Sequence, residues 1–244
     1  MSGKKIRLGF LVPPGNPTCE PEMFALAPAG VTVHFTRMVA QGAAGEHAGQ
    51  EERNRSQIAH LEDNVALLAM VKPDVIVMGH TAMSYTLGTE GEAALVAKIE
   101  KATGIRFVTA FGSVLDALTH LGARKVAIGT PYDAAATAKS KRHLEARGLQ
   151  VVSAGNLANV VNIYEETPER AYGLGRQVDA PQAEAIFLSG VGMPTISILE
   201  RLERDCGKPA LSSASAMMWN ALRTAGVGTP VPGYGRLLSG ARAA

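Results

Sequence analysis

The chain has 244 residues, 46% of them hydrophobic and 19% charged, which is enough for one large core or two lobes of roughly 110 to 130 residues each. Its net charge of +2 is too small, and its Lys and Arg residues are too scattered, for a nucleic-acid-binding protein. Two cysteines exclude a disulfide framework, and no His or Cys cluster has the spacing of a metal site. Without a long apolar leader or a run of about 18 apolar residues, the sequence predicts a cytoplasmic protein that binds neither membranes nor metals.

Short β-rich runs alternate with longer helical patterns along the chain. Strands are predicted at residues 6–12, 31–37, 75–78, 107–109, 126–129, 150–154, 185–188 and 210–212. Helices are predicted at residues 51–71, 89–103, 112–121, 134–147, 168–178, 195–206 and 214–225. This regular alternation indicates an α/β fold with parallel sheets and right-handed crossovers.

The sequence contains an internal repeat with a spacing of just over one hundred residues. The segment 72–84 resembles 182–194, the segment 104–118 resembles 207–222, and the strand at 6–13 resembles the one at 124–131. Such a spacing is too long for a solenoid repeat and predicts two pseudo-symmetric three-layer lobes facing each other across a cleft. We expect residues 1–110 and 213–244 to form one lobe, residues 111–212 to form the other, and the active site to lie between them.

Ligands of open parallel sheets bind beyond the carboxyl ends of the strands. The residues predicted there are rich in hydroxyls, amides and glycines and poor in carboxylates, which is typical of a site for an anion such as a carboxylate. The candidates are Asn16, Thr18, His80, Thr81, Ala82, Tyr132, Asn162, Gly190, Val191 and Gly192. Each of these residues also has an ordinary interpretation as a turn, a cap or a core position.

His80 is the one candidate whose side chain ordinarily transfers protons near neutral pH. The alternative is a buried histidine that only supports the structure. The remaining histidines are predicted to lie mostly on the surface, except His47, whose glycine-rich segment 41–49 is a candidate lid over the cleft. Since neither a nucleophile elbow nor a dinucleotide-binding glycine motif is present, no cofactor is expected.

The sequence resembles the arylmalonate decarboxylase and maleate isomerase branch of the aspartate/glutamate racemase superfamily over nearly its whole length. The similarity is carried by segments 8–14, 78–88, 126–132, 188–195, 211–226 and 232–237. The last segment is especially like the decarboxylases, whereas the opening Asn16-Pro-Thr18-Cys19-Glu20 is closer to the maleate isomerases.

The resemblance implies specific roles, with two departures. Racemases of the superfamily use one cysteine from each half and decarboxylases keep only the second, but the matching positions here are His80 and Gly190. The resemblance places Thr81, Tyr132 and the amide of Val191 in a dioxyanion hole, with Ala82 in place of a hydroxyl. It places Asn16 and Asn162 on the substrate carboxylates, and Gly190 leaves room for a bulkier substrate or a water. It is also compatible with a homo-oligomer.

These features favour a cofactor-free lyase that acts on a small carboxylate or dicarboxylate through an enediolate, for example by decarboxylating a substituted malonate, with His80 carrying the proton. The alternatives are a maleate-type cis–trans isomerase or racemase, a hydrolase of a small cyclic amide or lactone, and a non-catalytic dicarboxylate-binding protein. Cys19 is either a substitute for a lost thiol or a structural residue in a turn, and Cys206 is expected to be structural.

Overall fold

A computed structural model describes residues 5–42, 45–46 and 48–240 and contains two four-stranded parallel sheets with helices on both faces. The strands are β1 (Ile6–Val12), β2 (Val31–Arg37), β3 (Val75–Met78), β4 (Arg106–Thr109), β5 (Lys125–Thr130), β6 (Gln150–Asn156), β7 (Ala185–Leu188) and β8 (Ala210–Ser212). The strand order is β2-β1-β3-β4 in the first sheet and β6-β5-β7-β8 in the second. The same order in both sheets confirms the internal repeat and the α/β fold class.

The helices connect the strands as crossovers. They are α1 (Cys19–Leu26), α2 (Gln50–Ala59), α3 (Leu61–Ala69), α4 (Thr81–Thr103), α5 (Ala110–His120), α6 (Ala134–Glu145), α7 (Pro168–Val178), α8 (Leu199–Cys206), α9 (Ser213–Thr224) and α10 (Arg236–Ser239). Two short 3-10 helices, Ile163–Glu165 and Ile196–Ile198, lie in the loops that follow β6 and β7. None of the helices in the described ranges is long and apolar enough to cross a membrane.

Four apolar clusters fill the spaces between the sheets and their helices. One face of the first sheet packs on α1 and α9, and its other face packs on α3 and α4. The second sheet packs on α5 and α6 on one side and on α7 and α8 on the other. The central strands β3 and β7 are buried along their whole length, so both are apolar on both faces, as parallel strands require. The lobe boundaries at residues 110 and 213 stay a prediction.

Several helix boundaries differ from those predicted. The helix expected at 51–71 is two helices, because the backbone at His60 is not helical. Helix α4 begins at Thr81 rather than at residue 89, since Gly88 (φ 70°, ψ 178°) only kinks it. Helix α1 is not among the predicted helices; its Pro21 is compatible with a helix, because a proline in the first turn costs no backbone hydrogen bond. Consequently, Cys19 begins a helix and does not lie in a turn.

Candidate functional site

His80 lies directly after β3, where it is the N-cap residue of α4. Its backbone amide donates to Met78 O at 2.9 Å. The half-buried ring places Nδ1 3.1 Å from Oε1 of Gln57, a buried residue of α2. An amide oxygen only accepts hydrogen bonds, so this contact is a hydrogen bond in the tautomer with the proton on Nδ1, which leaves Nε2 as an acceptor.

The His80 imidazole is uncharged at neutral pH. Burial lowers the pKa of His80 to about 4, and the nearby positive charge of Arg53 acts in the same direction. At rest the ring is therefore a base or a hydrogen-bond acceptor, and it becomes an acid only if a bound anion raises its pKa.

A small cavity of about 30 Å³ lies in front of the His80 ring. It is enclosed by the loop after β1, by α2 and by the loop after β6, and it has room for about one or two waters. Arg53 and Tyr164 line the cavity, and Arg53 also donates to the backbone oxygens of Glu46 and Ala48. This space is smaller than a dicarboxylate.

Asn16 and Thr18 connect the loop after β1 to the opposite half of the chain. The side-chain oxygen of Asn16 accepts from the amides of Thr18 (2.8 Å) and Cys19 (2.9 Å), which caps α1. Its Nδ2 is buried without a hydrogen-bond partner among the described residues. The Thr18 hydroxyl donates to Gly192 O at 2.9 Å. Asn16 thus has a spare donor of the kind that binds a carboxylate.

Ser213 connects the two strand ends that carry the pseudo-equivalent positions His80 and Gly190. Its hydroxyl oxygen accepts from the Thr81 hydroxyl at 2.9 Å and from the Gly190 amide at 3.2 Å. The Thr81 hydroxyl is therefore already used as a donor. With two donors on its oxygen, Ser213 keeps its own proton for a further acceptor, so it is a candidate oxyanion donor beside Thr81.

Gly190 has a positive φ of 100°, and the space beside it is filled. A side-chain carbon at Gly190 would lie 3.0 Å from the Pro131 ring and 3.2 Å from the Tyr132 hydroxyl. The expected room for a bulkier substrate or a water at Gly190 is therefore taken up by Pro131 and Tyr132. Tyr132 is buried, and burial raises the pKa of its phenol, so it stays protonated and is available as a hydrogen-bond donor.

The loops after β6 and β7 form one side of the site. This side contains Asn162, Tyr164 and Gly192. Asn162 Oδ1 accepts from the Tyr164 amide at 2.9 Å, and a side-chain carbon on Gly192 would lie 2.6 Å from the Tyr164 ring. Gly45, which belongs to the predicted lid segment 41–49, also lies here, because the Ile163 amide donates to Gly45 O at 3.0 Å. Only glycine at position 45 fits this approach, since a side-chain carbon there would lie 1.9 Å from Asn162 Oδ1.

The last two candidates, Ala82 and Val191, are buried. The Ala82 carbonyl accepts from Asn54 Nδ2 at 3.2 Å, which attaches α2 to α4, and Ala82 lines a second opening together with Tyr132. Val191 packs in the apolar cluster between the first sheet and α9, so only its backbone is a candidate for substrate binding.

Cys19 does not substitute for a lost thiol. Its side chain is fully buried in the core beside Phe10 and Met23, and burial raises its pKa, so the thiol stays protonated and packed. One turn further along α1, the buried Glu22 carboxyl accepts from the amides of Thr195 (2.6 Å) and Ile196 (3.0 Å). Burial raises the pKa of Glu22 to about 7.

The other histidines lie away from this site where the structure describes them. His34 and His143 are half-buried, and His60 and His120 are exposed. His143 departs from the predicted surface position, because its ring packs on Tyr85 and Phe111 at centroid distances of 5.2 and 4.6 Å. His47 lies outside the described residues. Within the described ranges, no three His, Cys, Asp or Glu side chains are grouped to hold a metal ion.

The structure adds Arg53, Gln57 and Tyr164 to the residues predicted from the sequence. None of them directly follows a strand, so the strand-end pattern could not find them. Gln57 and Arg53 are four residues apart on α2 and thus face the same side of that helix. The sequence signal that could have indicated them is a pair of polar residues on the same face of a helix that packs against the protein.

Comparison with known proteins places the chain in a family. A family model described as arylmalonate decarboxylase matches residues 8–238. The chain belongs to the arylmalonate decarboxylase family. It is 32% identical over 251 residues to the maleate isomerase of Nocardia farcinica, with 95% of each protein covered. It is 33% identical over 177 residues to the arylmalonate decarboxylase of Bordetella bronchiseptica, with 67% of this chain and 70% of that protein covered.

Solved structures of the family share the fold. A mutant of Nocardia farcinica maleate cis-trans isomerase with a covalently bound succinylcysteine intermediate superimposes with a TM-score of 0.87 at 27% identity, over 96% of this chain and 98% of that one. Family membership makes the chain an enzyme of the cofactor-free decarboxylase and isomerase type and leaves the exact reaction open.

Proposed function

We propose that this enzyme decarboxylates a small malonate-type dicarboxylate without a cofactor, through an enediolate, and that His80 carries the proton. The observation that supports the proposal best is the His80 ring, which lines the cavity and is held through Nδ1 by Gln57.

Donors on the loops and helix ends near the carboxyl ends of the strands suit a dianion. Asn16 offers its unpartnered Nδ2, and Ser213 offers a hydroxyl proton. Arg53 contributes positive charge at the cavity, and the N-terminus of α4 adds its partial positive charge. Asn162 and Asn16 would orient the two carboxylates, as their match to family positions implies.

The proton balance of decarboxylation fits a histidine that is neutral at rest. When the carbon–carbon bond breaks, carbon dioxide leaves and the bonding electrons form an enediolate. Hydrogen bonds from Tyr132, Ser213 and the Val191 amide would stabilise it, and Thr81 would hold Ser213 in place. A dianion beside His80 raises the pKa of the imidazole, so Nε2 takes a proton from solvent as the substrate binds. His80 then transfers that proton to the carbanion carbon, and each turnover consumes one proton. Such general acid catalysis contributes about 10² to 10⁴ in rate.

Cis–trans isomerisation of a maleate-type substrate is the second candidate. It is favoured because the similarity to the Nocardia farcinica maleate isomerase extends over 95% of each protein. In that reaction the Nε2 lone pair of His80 would form a bond to one alkene carbon, and the alkene electrons would move onto the neighbouring carboxylate as an enediolate. Rotation about the resulting single bond and loss of the imidazole would give the trans isomer without net proton transfer.

A substrate panel in buffer with a metal chelator separates these functions. Phenylmalonate, methylmalonate, maleate and a small cyclic imide are incubated with the enzyme, and carbon dioxide, fumarate and ring-opened product are measured. The proposal predicts carbon dioxide only from the malonates. Fumarate formation alone would establish the isomerase, ring opening would establish a hydrolase, and tight calorimetric binding with no product would establish a binding protein. The cytoplasmic location and the homo-oligomer stay predictions.

A further inference from the structure

We propose that Gln57 is the positioning residue for His80: its side-chain oxygen fixes the ring proton on Nδ1 and thereby presents Nε2 to the substrate cavity. The inference deepens the proposed function and rests on it for the catalytic consequence. The ring geometry itself is independent of which substrate is turned over.

Two contacts determine the orientation of the imidazole. The backbone of His80 is fixed at the end of β3, where its amide donates to Met78 O. The remaining freedom is rotation of the side chain, and the 3.1 Å hydrogen bond from Nδ1 to Gln57 Oε1 selects one orientation. Gln57 is only 2% exposed, which shields its side chain from bulk solvent.

The charge of the partner decides how the ring behaves. Among the described residues, the ionisable groups that line the cavity with His80 are Arg53 from α2, Glu46 from the predicted lid segment 41–49 and Tyr164 from the loop after β6. No carboxylate among the described residues hydrogen-bonds to the ring, and Arg53 disfavours an imidazolium. A neutral amide at position 57 orients the ring without stabilising its charged form, whereas a carboxylate would do both. Gln57 therefore keeps Nε2 free of a proton until an anionic substrate arrives.

The test is the two-bond ¹H–¹⁵N correlation spectrum of ¹⁵N-histidine-labelled protein, recorded from pH 4.5 to 9 without substrate. Assignment of the His80 signals uses His80→Ala. In the wild type we expect Nδ1 protonated and Nε2 unprotonated at pH 7. In Gln57→Leu the ring should shift toward the Nε2-protonated tautomer. In the nearly isosteric Gln57→Glu variant, the pKa of His80 should rise by at least about one.

Gln50→Glu is the matched control, because Gln50 lies on the same helix and lines the same cavity but has no hydrogen bond to His80 among the described contacts. It adds the same charge and should raise the pKa of His80 by less than half as much. A wild-type spectrum with Nε2 protonated at pH 7, an unchanged tautomer in Gln57→Leu, or equal effects of the two Glu variants would overturn the assignment.

Turnover distinguishes this inference from the proposed function. If phenylmalonate is decarboxylated, Gln57→Leu should lower kcat about tenfold or more with little change in KM, and Gln57→Glu should move the pH profile to higher pH in step with the NMR titration. The expected spectra together with no malonate turnover would refute the proposed function and leave the positioning role intact. Normal turnover with the wrong tautomer would refute the positioning role alone.

Discussion

The hydroxyl oxygen of Tyr132 lies 3.2 Å from the point where a side-chain carbon of Gly190 would be. The resemblance to the family implies that Gly190 occupies the position of the second cysteine, and the Tyr132 phenol would then lie beside the place where a thiol would be attached. His80 and Tyr132 follow β3 and β5, and burial keeps the imidazole of His80 uncharged and the phenol of Tyr132 protonated at neutral pH.

Restoring a side chain at Gly190 should be unfavourable. With φ at 100°, Gly190→Ala is expected to destabilise the protein by about 1–2 kcal/mol, because a side-chain carbon is strained in this backbone region and contacts Pro131. Gly173→Ala is the control: this glycine lies inside α7 with open space around it, and the change should stabilise by about 0.5–1 kcal/mol. Urea unfolding measures both effects, and equal stability of the two variants would contradict the strain at position 190.

Tyr132→Phe should lower kcat for the malonate substrate by about 10² to 10³, since one donor to the developing oxyanion is removed. The phenol oxygen makes no hydrogen bond to another described residue, and only the backbone amide of Tyr132 donates to the Thr130 hydroxyl. The melting temperature of Tyr132→Phe should therefore change little. Tyr172→Phe serves as the control, because that hydroxyl donates to Asp205 on the surface. A fully active Tyr132→Phe enzyme would remove the phenol from the mechanism.

Asn16 offers a test of the spare buried donor. Asn16→Asp keeps the oxygen that caps α1 and replaces the unpartnered Nδ2 by an acceptor with negative charge. We expect the affinity for phenylmalonate to fall at least about tenfold, because like charges oppose each other. Asn16→Ala should lose affinity as well and in addition lose about 1 kcal/mol of stability with the cap. Calorimetric titration and thermal unfolding separate the two effects; unchanged affinity in Asn16→Asp would show that Asn16 is only a cap.

Glu22 should make the protein less stable as the pH rises. Its folded pKa of about 7 exceeds the value of about 4.3 in an unfolded chain, so between these two values the unfolded state loses the proton first. Stability from this group is complete below the lower value and is lost by the time the pH passes the upper one, a change of about 4 kcal/mol. Glu22→Gln keeps an oxygen for the Thr195 and Ile196 amides but does not titrate.

Unfolding curves of the wild type and Glu22→Gln from pH 4 to 8.5 test this expectation. The two proteins should be most similar at the acidic end, which is the internal control, and the variant should become relatively more stable toward pH 8. Stability curves that stay parallel across the range would mean that Glu22 ionises normally in the folded protein.

The sequence predicted the parts of the site that depend on local pattern. The apolar run that ends at Met78 placed His80 and Thr81 at a sheet edge, and the repeat placed Gly190 at the equivalent edge. The pattern could not place Gln57, because its contact with His80 depends on how α2 packs across the end of β3. Nor could it show that Tyr132 fills the space beside Gly190, since that contact joins two loops almost sixty residues apart.

The most direct test of the account compares carbon dioxide release from phenylmalonate by the wild type and by His80→Ala, with phenylmalonate affinity measured by calorimetry in the variant. His60→Ala, which changes an exposed histidine next to α2, is the matched control and should behave as the wild type. We predict that His80→Ala lowers the rate by about 10² to 10⁴ and still binds phenylmalonate. A variant that releases carbon dioxide at the wild-type rate would contradict the assignment of His80 as the proton carrier.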